Sequence, residues 1–249
     1  MPSLYMRVKK EDIAEYVIFS GDPQRLEMLK KYLSEVKHIA SSREFTTYTG
    51  KYKDLLVSIT STGIGSASAA IAMEEMYEAG MRVAVRMGTS MGLEDDLLGK
   101  FFIPIGMMRG EASSKTYVPE SYPAVANVKL MQAMSAAALA SKAGCDNGIG
   151  CTLDGFYSQM KESLFSRQMQ IEHGLLFEEL RRYGIKGVDM ESSLMLTLGR
   201  LMNVKTCCVT MVTVLENLKQ KLEGERRKSS EELLCKVVLD GIYRFHTDE

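Results

Sequence analysis

"FSGDPQRLEML", Phe19 to Leu29, closes the apolar run YVIF (16–19) with Ser-Gly-Asp-Pro and opens a helix-like stretch with Arg25 in its first turn. A glycine at a strand end and a cation just inside the next helix can hold an anion; they also make an ordinary turn. Further β-type runs follow: FTTYTGKY (45–52), LLVSIT (55–60), VAVRM (83–87), FFIPIG (101–106), IGCTL (149–153) and TCCVTMVTV (206–214). Between them the spacing predicts helices near 23–34, 65–80, 126–143, 173–183, 190–203 and 229–244. This alternation over 249 residues predicts one α/β domain, residues 1–249, with a largely parallel or mixed sheet.

Composition narrows the classes of function. With 31 basic and 32 acidic residues there is no electrostatic case for nucleic acid or an anionic membrane. No apolar stretch approaches the roughly 20 residues needed to span a bilayer, and MPSLYMRVKKEDIAEY lacks the apolar core of a signal peptide, so a cytoplasmic protein is expected. Cys145, Cys151, Cys207, Cys208 and Cys235 fall in no zinc spacing, and an odd number argues for reduced thiols. His38, His173 and His246 form no HExxH-like pattern, so metalloenzyme chemistry is not expected. In the last helix, Ser229 and Glu232 have capping-box spacing before the apolar face of Leu233, Leu234, Val237 and Val238. The polar stretch ENLKQKLEGERRK before it is either a solvated loop or frayed helix, or a flap over a pocket.

Three more stretches bear on an anion. Arg86 lies inside VAVRMGTSMG, an apolar strand expected to break at Gly88-Thr89-Ser90. A buried guanidinium must meet either a carboxylate or a bound anion, and both readings stand. Arg43 lies in SSREFTTY, just ahead of a strand, and STGIGSAS (61–68) suits a tight turn with free N–H groups at a helix start. That loop is neither a dinucleotide nor a P-loop pattern. In GVDMESS (187–193), Asp189 and Glu191 flank Met190 where a strand passes into a helix. Such a carboxylate either caps the helix or accepts two hydrogen bonds from the vicinal hydroxyls of a sugar.

Taken together, SGDPQRLE, SSREFTTYTG, STGIGSAS, VRMGTS, YVPESYPAVA (117–126), DGFYSQ and VDMES occur in the order of, and the chain resembles, the nucleoside phosphorylase family of uridine phosphorylase and the hexameric purine nucleoside phosphorylases. REFTTYTG, PAVA and FY before a glutamine lean toward the uridine branch. The resemblance implies a mixed, twisted sheet partly closed into a barrel and flanked by helices as an α/β/α three-layer fold. It implies attack of inorganic phosphate on C1′ of a nucleoside, with no organic cofactor. Phosphate would be held by the Gly21 N–H, Arg25, Arg86, the Thr89 hydroxyl and Arg43 from a neighbouring subunit, and the ribose by Met190, Glu191 and Tyr5. Phe156, Gln159, Lys161 and Ser90 would face the base. A shared site implies at least a homodimer, often a hexamer, and Glu44, Ile64 and Ser68 match positions of an interfacial monovalent cation.

The sequence departs from that pattern in four places. Tyr5 stands where the family usually has a histidine. FYSQMK is one residue short, with Lys161 in the place of an arginine. Met91 stands where a glycine is usual. The strand ending TMVTVLEN has Thr213 and Val214 where purine enzymes carry an aspartate and lacks the arginine of uridine enzymes, with Glu216 the nearest carboxylate. The expected activity is phosphorolysis of uridine; the alternatives are a purine nucleoside phosphorylase, a hydrolase, or a silent paralogue that binds nucleoside or phosphate.

Overall fold

In the computed structural model, which describes residues 1–248, twelve strands form one mixed sheet with helices on both faces. In chain order the elements are β1 (Tyr16–Ser20), α1 (Gln24–Lys30), β2 (Ser34–Ser42), β3 (Phe45–Tyr52), β4 (Leu55–Ser61), α2 (Ser66–Glu78) and β5 (Val83–Gly92). There follow β6 (Phe101–Phe102), β7 (Gly106–Gly110), β8 (Ala124–Val125), α3 (Val128–Ala140), β9 (Cys145–Asp146) and β10 (Ile149–Leu153). The last third holds α4 (Leu164–Gln168), α5 (His173–Arg182), β11 (Ile185–Asp189), α6 (Ser192–Leu201), β12 (Lys205–Leu215) and α7 (Gly224–Thr247). The strand order is β2-β3-β4-β1-β5-β11-β10-β7-β8, with β12 paired to β5 and β6, and β9 to β6. No described helix is long and apolar enough to cross a membrane.

Strict alternation along the central strands assigns each side chain to a layer. Ile18, Val83, Val85, Cys207 and Val209 pack with Leu26, Leu29, Leu130, Met134, Leu234 and Ile242 of α1, α3 and α7. Val17, Phe19 and Ala84 face the other way, onto Ala69, Met73 and Met76 of α2 and Leu194, Met195 and Leu198 of α6. Arg86, two residues beyond Ala84, therefore projects into the α2/α6 layer, where the chain enters both helices.

The spine of the sheet is β5, which lies parallel to β12 along its whole length, with a bulge between Val212 and Val214. Its other edge changes partner. β1 pairs with Val83–Met87 in parallel, and β11 takes over, antiparallel, at Met91 and Gly92. Gly88, Thr89 and Ser90 lie between, matched with β12 alone among the described strands. The sequence predicts a break at this point; instead the strand runs on to Gly92 and it is the sheet that divides. In an open α/β sheet such a partner switch leaves a crevice in which ligands bind.

Three further elements differ from the sequence reading for local reasons. FFIPIG is not one strand: Pro104, which has no N–H for a ladder, separates β6 from β7. β2 has no alternating apolar pattern because it is a mostly exposed edge strand, with register shifts after Ser34 and His38. The Ser229–Glu232 capping box is not used, because α7 begins at Gly224 and carries Ser229 inside it. Ser230 bonds back to the Arg226 carbonyl at 2.8 Å, as a mid-helix serine does. The polar stretch before it becomes a 3₁₀ turn, Glu216–Leu218, and the first turn of α7.

The segment YVPESYPAVA is held from inside by Arg109 of β7, a residue outside every sequence motif. Its guanidinium donates to the carbonyls of Pro119 at 2.6 Å, Tyr122 at 2.9 Å, and Val118 and Glu120 at 3.3 Å, and to the Ser114 hydroxyl at 2.8 Å. Glu111, fully buried, accepts from the Ser114 N–H at 2.8 Å and the Ser193 hydroxyl at 3.0 Å, which ties the same corner to α6. Arg109→Met removes every one of these donors while keeping an apolar stem. A loss of about 3 kcal/mol is expected in urea unfolding, from carbonyls left without a partner. An unchanged midpoint would show that the segment holds itself.

Candidate active site

Arg86 is 5% exposed and is met by two carboxylates. Its Nη2 lies 2.8 Å from Asp189 Oδ2 and also donates to Glu191 Oε2. The two readings left open for this residue thus combine: it is a buried salt bridge, and its Nε is buried without a hydrogen-bond partner among the described residues. Burial disfavours the cation, but Glu191 and Asp189 more than offset it and the guanidinium holds its proton more tightly than usual. The crossing of Gly88 by this side chain explains that glycine. A Cβ there would lie 2.0 Å from Arg86 Nη1.

Asp189 ends β11 and does two jobs. It accepts from the Ser192 N–H and from the Ser192 hydroxyl at 2.6 Å, which starts α6, and from the Thr152 hydroxyl at 2.8 Å on β10. One carboxylate thus both caps the helix and pairs with Arg86. Glu191 stands at the start of α6, 5% exposed. Its Oε1 accepts from the Gly65 N–H at 2.6 Å, so this carboxylate occupies the anion-favouring start of α2 that STGIGSAS suggested. Gly65 has φ +101°, a conformation that favours glycine, and the Ser66 hydroxyl donates to the Met190 carbonyl at 2.9 Å. Burial raises the Glu191 carboxyl above its usual range against the pull of the Arg86 cation. Arg25 also acts on Glu191, favouring its ionised form.

Arg25 lies in the first turn of α1, 6% exposed, not on the surface as its position alone suggests. Its Nη2 is 3.3 Å from Glu231 Oε1 on α7, and its Nε, like that of Arg86, is buried without a hydrogen-bond partner among the described residues. Gly21 is half-buried against the turn that follows the neighbouring strand β4, where a Cβ would lie 3.1 Å from the Gly63 carbonyl oxygen. The register that pairs Phe19 with Arg86 and Ser20 with Met87 sets this turn beside Gly88 and the half-buried Thr89. The Ser90 hydroxyl faces β12, 2.9 Å from that of Thr210.

Arg43 is exposed at the β2–β3 turn with φ +55°, its guanidinium 5.3 Å from the Tyr5 ring centre. Glu75 of α2 fixes Tyr5 and Met6 through their N–H groups, both at 2.7 Å. Ser68 donates to Glu44 at 3.0 Å, with the Ile64 side chain exposed nearby in sequence. Among the described residues, no group of three or more His, Cys, Asp or Glu side chains is arranged to hold a metal ion.

At the other end, FYSQMK forms a π turn, Phe156–Met160, with the Lys161 N–H reaching the Phe156 carbonyl at 2.8 Å. Phe156 and Met190, each partly buried, pack on a cluster that includes Met91, Leu153, Met160, Phe177 and Val188. Gln159 Oε1 accepts from the Gly155 N–H at 2.8 Å, an orientation that leaves its amide N–H groups as the free donors. Lys161 is half-buried, with Nζ 5.9 Å from the Tyr157 ring centre. Thr213 is buried at the bulge of β12, and Glu216 is ion-paired to Arg181 of α5.

Comparisons with known proteins bear on the family and the fold. Residues 15–241 match the Phosphorylase superfamily. The chain is 33% identical over 210 residues to a uridine phosphorylase of Thermococcus kodakarensis, covering 84% of this chain and 76% of that protein. A crystal structure of uridine phosphorylase from Vibrio fischeri superposes with a TM-score of 0.85 at 27% identity, covering 97% of each chain. A purine nucleoside phosphorylase from Toxoplasma gondii in complex with immucillin-H reaches the same TM-score at 25% identity, covering 100% of this chain and 98% of that one. A buried arginine pinned by two carboxylates where a mixed α/β sheet divides is thus set in a frame shared with nucleoside phosphorylases, and the chain, a pentosyltransferase, belongs to the phosphorylase superfamily.

Proposed function

We propose that the protein cleaves the N-glycosidic bond of uridine with inorganic phosphate, giving uracil and ribose 1-phosphate. The observation that carries this reading is that Arg25 and Arg86, 61 positions apart in the sequence, each keep a buried, unpartnered Nε–H at the point where the sheet divides. Two such donors, with the Gly21 N–H and the Thr89 hydroxyl, suit the oxygens of one phosphate by charge-assisted hydrogen bonds. A phosphate oxygen forms the new bond to C1′ as the C1′–N1 bond breaks and its electron pair leaves with the base; the proton carried by hydrogen phosphate ends on the uracil. Positive charge that develops on the ribose ring is stabilised by the phosphate itself and by the Glu191 carboxylate.

Glu191 accepts the 2′- and 3′-hydroxyls with its remaining lone pairs, and Met190 covers the sugar face. Phe156 stacks near the base. Gln159, with its oxygen engaged, offers N–H donors to a carbonyl oxygen of uracil, while Lys161 neutralises charge on the departing ring. Thr213 and Val214 stand at the bulge of β12, where the purine branch carries its acid, and Glu216 is tied to Arg181, which favours the pyrimidine reading. Arg43 is exposed in its own chain and completes the phosphate site of a second copy, with Tyr5 beside that partner's ribose. The active unit is then at least a homodimer, with a monovalent cation at Glu44, Ile64 and Ser68 between the copies. Five free thiols suit the reducing cytoplasm.

Incubation with uridine, thymidine and inosine, with and without phosphate, checks the reaction by chromatography of the released bases. Uracil is expected only when phosphate is present. Hypoxanthine in its place would promote the purine reading, and no base from any substrate would leave a silent binding protein. Arg86→Ala is expected to lower phosphate-dependent turnover by at least about a hundredfold, from the loss of charged contacts worth roughly 1.5–3 kcal/mol each. Gly88→Ala gives a second handle on the same group, since its Cβ must push the Arg86 guanidinium off its carboxylates. Turnover is expected to fall although every charged residue is retained; wild-type rates in this variant would place the phosphate elsewhere.

A further inference from the structure

We infer that Glu231 is a positioning residue of the phosphate subsite, acting through Arg25 as Asp189 acts through Arg86; this rests on the phosphate reading given above. The two arginines are held alike. Arg86 has Nη2 on carboxylates and Nε without a partner, and Arg25 has Nη2 on Glu231 Oε1 at 3.3 Å and Nε without a partner. In each, one end of the planar guanidinium is anchored and the other is left as a donor.

The contact is unlike an ordinary surface ion pair. It joins α1 to α7 across 206 positions, and the two side chains are only 8% and 12% exposed. Glu231 is itself fixed: Arg227, one turn earlier on α7, donates to the same Oε1 at 2.8 Å. Next along that helix, Cys235 is fully buried and close enough for the Arg25 charge to act on its thiol, which burial pushes up to about 12. The guanidinium therefore lies between an apolar wall and an anchored carboxylate. α1 has only seven residues, and a long, rotatable side chain in its first turn needs such a post to present Nε in one direction. A competing function for Glu231, as a carboxylate that occupies the phosphate's place, makes the opposite prediction.

Titration calorimetry with inorganic phosphate and phosphate saturation of uridine cleavage separate these. Glu231→Ala is expected to raise both the phosphate Kd and the phosphate KM on the order of tenfold, as one charge-assisted contact is lost. Glu231→Gln, which keeps an acceptor oxygen, is expected to lose less. The loss should be larger in the phosphate KM than in the nucleoside KM. Adding Glu231→Ala to Arg25→Ala should cost no more than Arg25→Ala alone, because the residue acts through that guanidinium. Unchanged or tighter phosphate binding in both Glu231 variants overturns the inference, as does full additivity with Arg25→Ala. A wild-type protein that binds no phosphate overturns the functional reading instead.

Discussion

Everything at the divided end of the sheet answers to one constraint, the burial of the Arg86 charge. An unpaired guanidinium in that layer would cost several kcal/mol, so partners must be brought to it. Asp189 arrives from the end of β11, the strand that replaces β1 beside β5. Glu191 arrives two residues later and also closes the start of α2 through Gly65. Gly88 leaves the guanidinium room to reach both. The partner change of β5, the starts of α2 and α6 and the absence of a side chain at position 88 are therefore parts of one solution. The same solution leaves Nε without a partner among the described residues, and in the proposed function that donor meets the phosphate.

Much of this was legible because it is local. Strands β3 and β10 coincide with their sequence runs, since alternating apolar residues bounded by turns leave little choice of period. Arg86 stood out as a charge in an apolar strand, and Asp189 and Glu191 as carboxylates at a strand–helix junction. Their meeting was not legible, because 105 positions separate Arg86 from Glu191 and periodicity carries no pairing information. Glu231 left no signal at all: on α7 it looks like one half of an i,i+4 pair with Arg227, and its contact with Arg25 depends on how two helices pack. Arg109 was equally silent, since all but one of its partners, the Ser114 hydroxyl, are backbone carbonyls, which every sequence has.

The proposed phosphate end and the proposed base end differ in how they are built. The first rests on strand ends and helix starts, whose geometry follows from the ladder, so a short motif fixes where its atoms lie. The second rests on a π turn one residue shorter than the family pattern and on apolar side chains that fill whatever space the turn leaves. A deletion in a strand would flip every later side chain to the other face. A loop has no such register: after β10 the chain makes a π turn, with the Phe156 ring on the apolar cluster and Gln159 Oε1 on the Gly155 N–H. Base preference therefore depends on details of side-chain packing that a motif does not encode.

Charge gives the strongest physical reason for a second subunit. Around the proposed phosphate, one chain contributes the cations Arg25 and Arg86 against the carboxylates Asp189, Glu191 and Glu231; Arg227 only brings the cluster to neutrality. A dianion entering a neutral, largely buried cluster gains direction from two Nε–H groups but little net attraction. Raising Glu191 toward its protonated form would relieve the imbalance, at the expense of the carboxylate that the ribose hydroxyls require. An additional cation from outside the chain solves the problem without that loss. Arg43 is exposed on a tight turn, and its Tyr5 contact is one that solvent or a neighbour can replace at small cost. In the proposed dimer, the position of Arg43 supplies the positive charge that one chain's own site lacks.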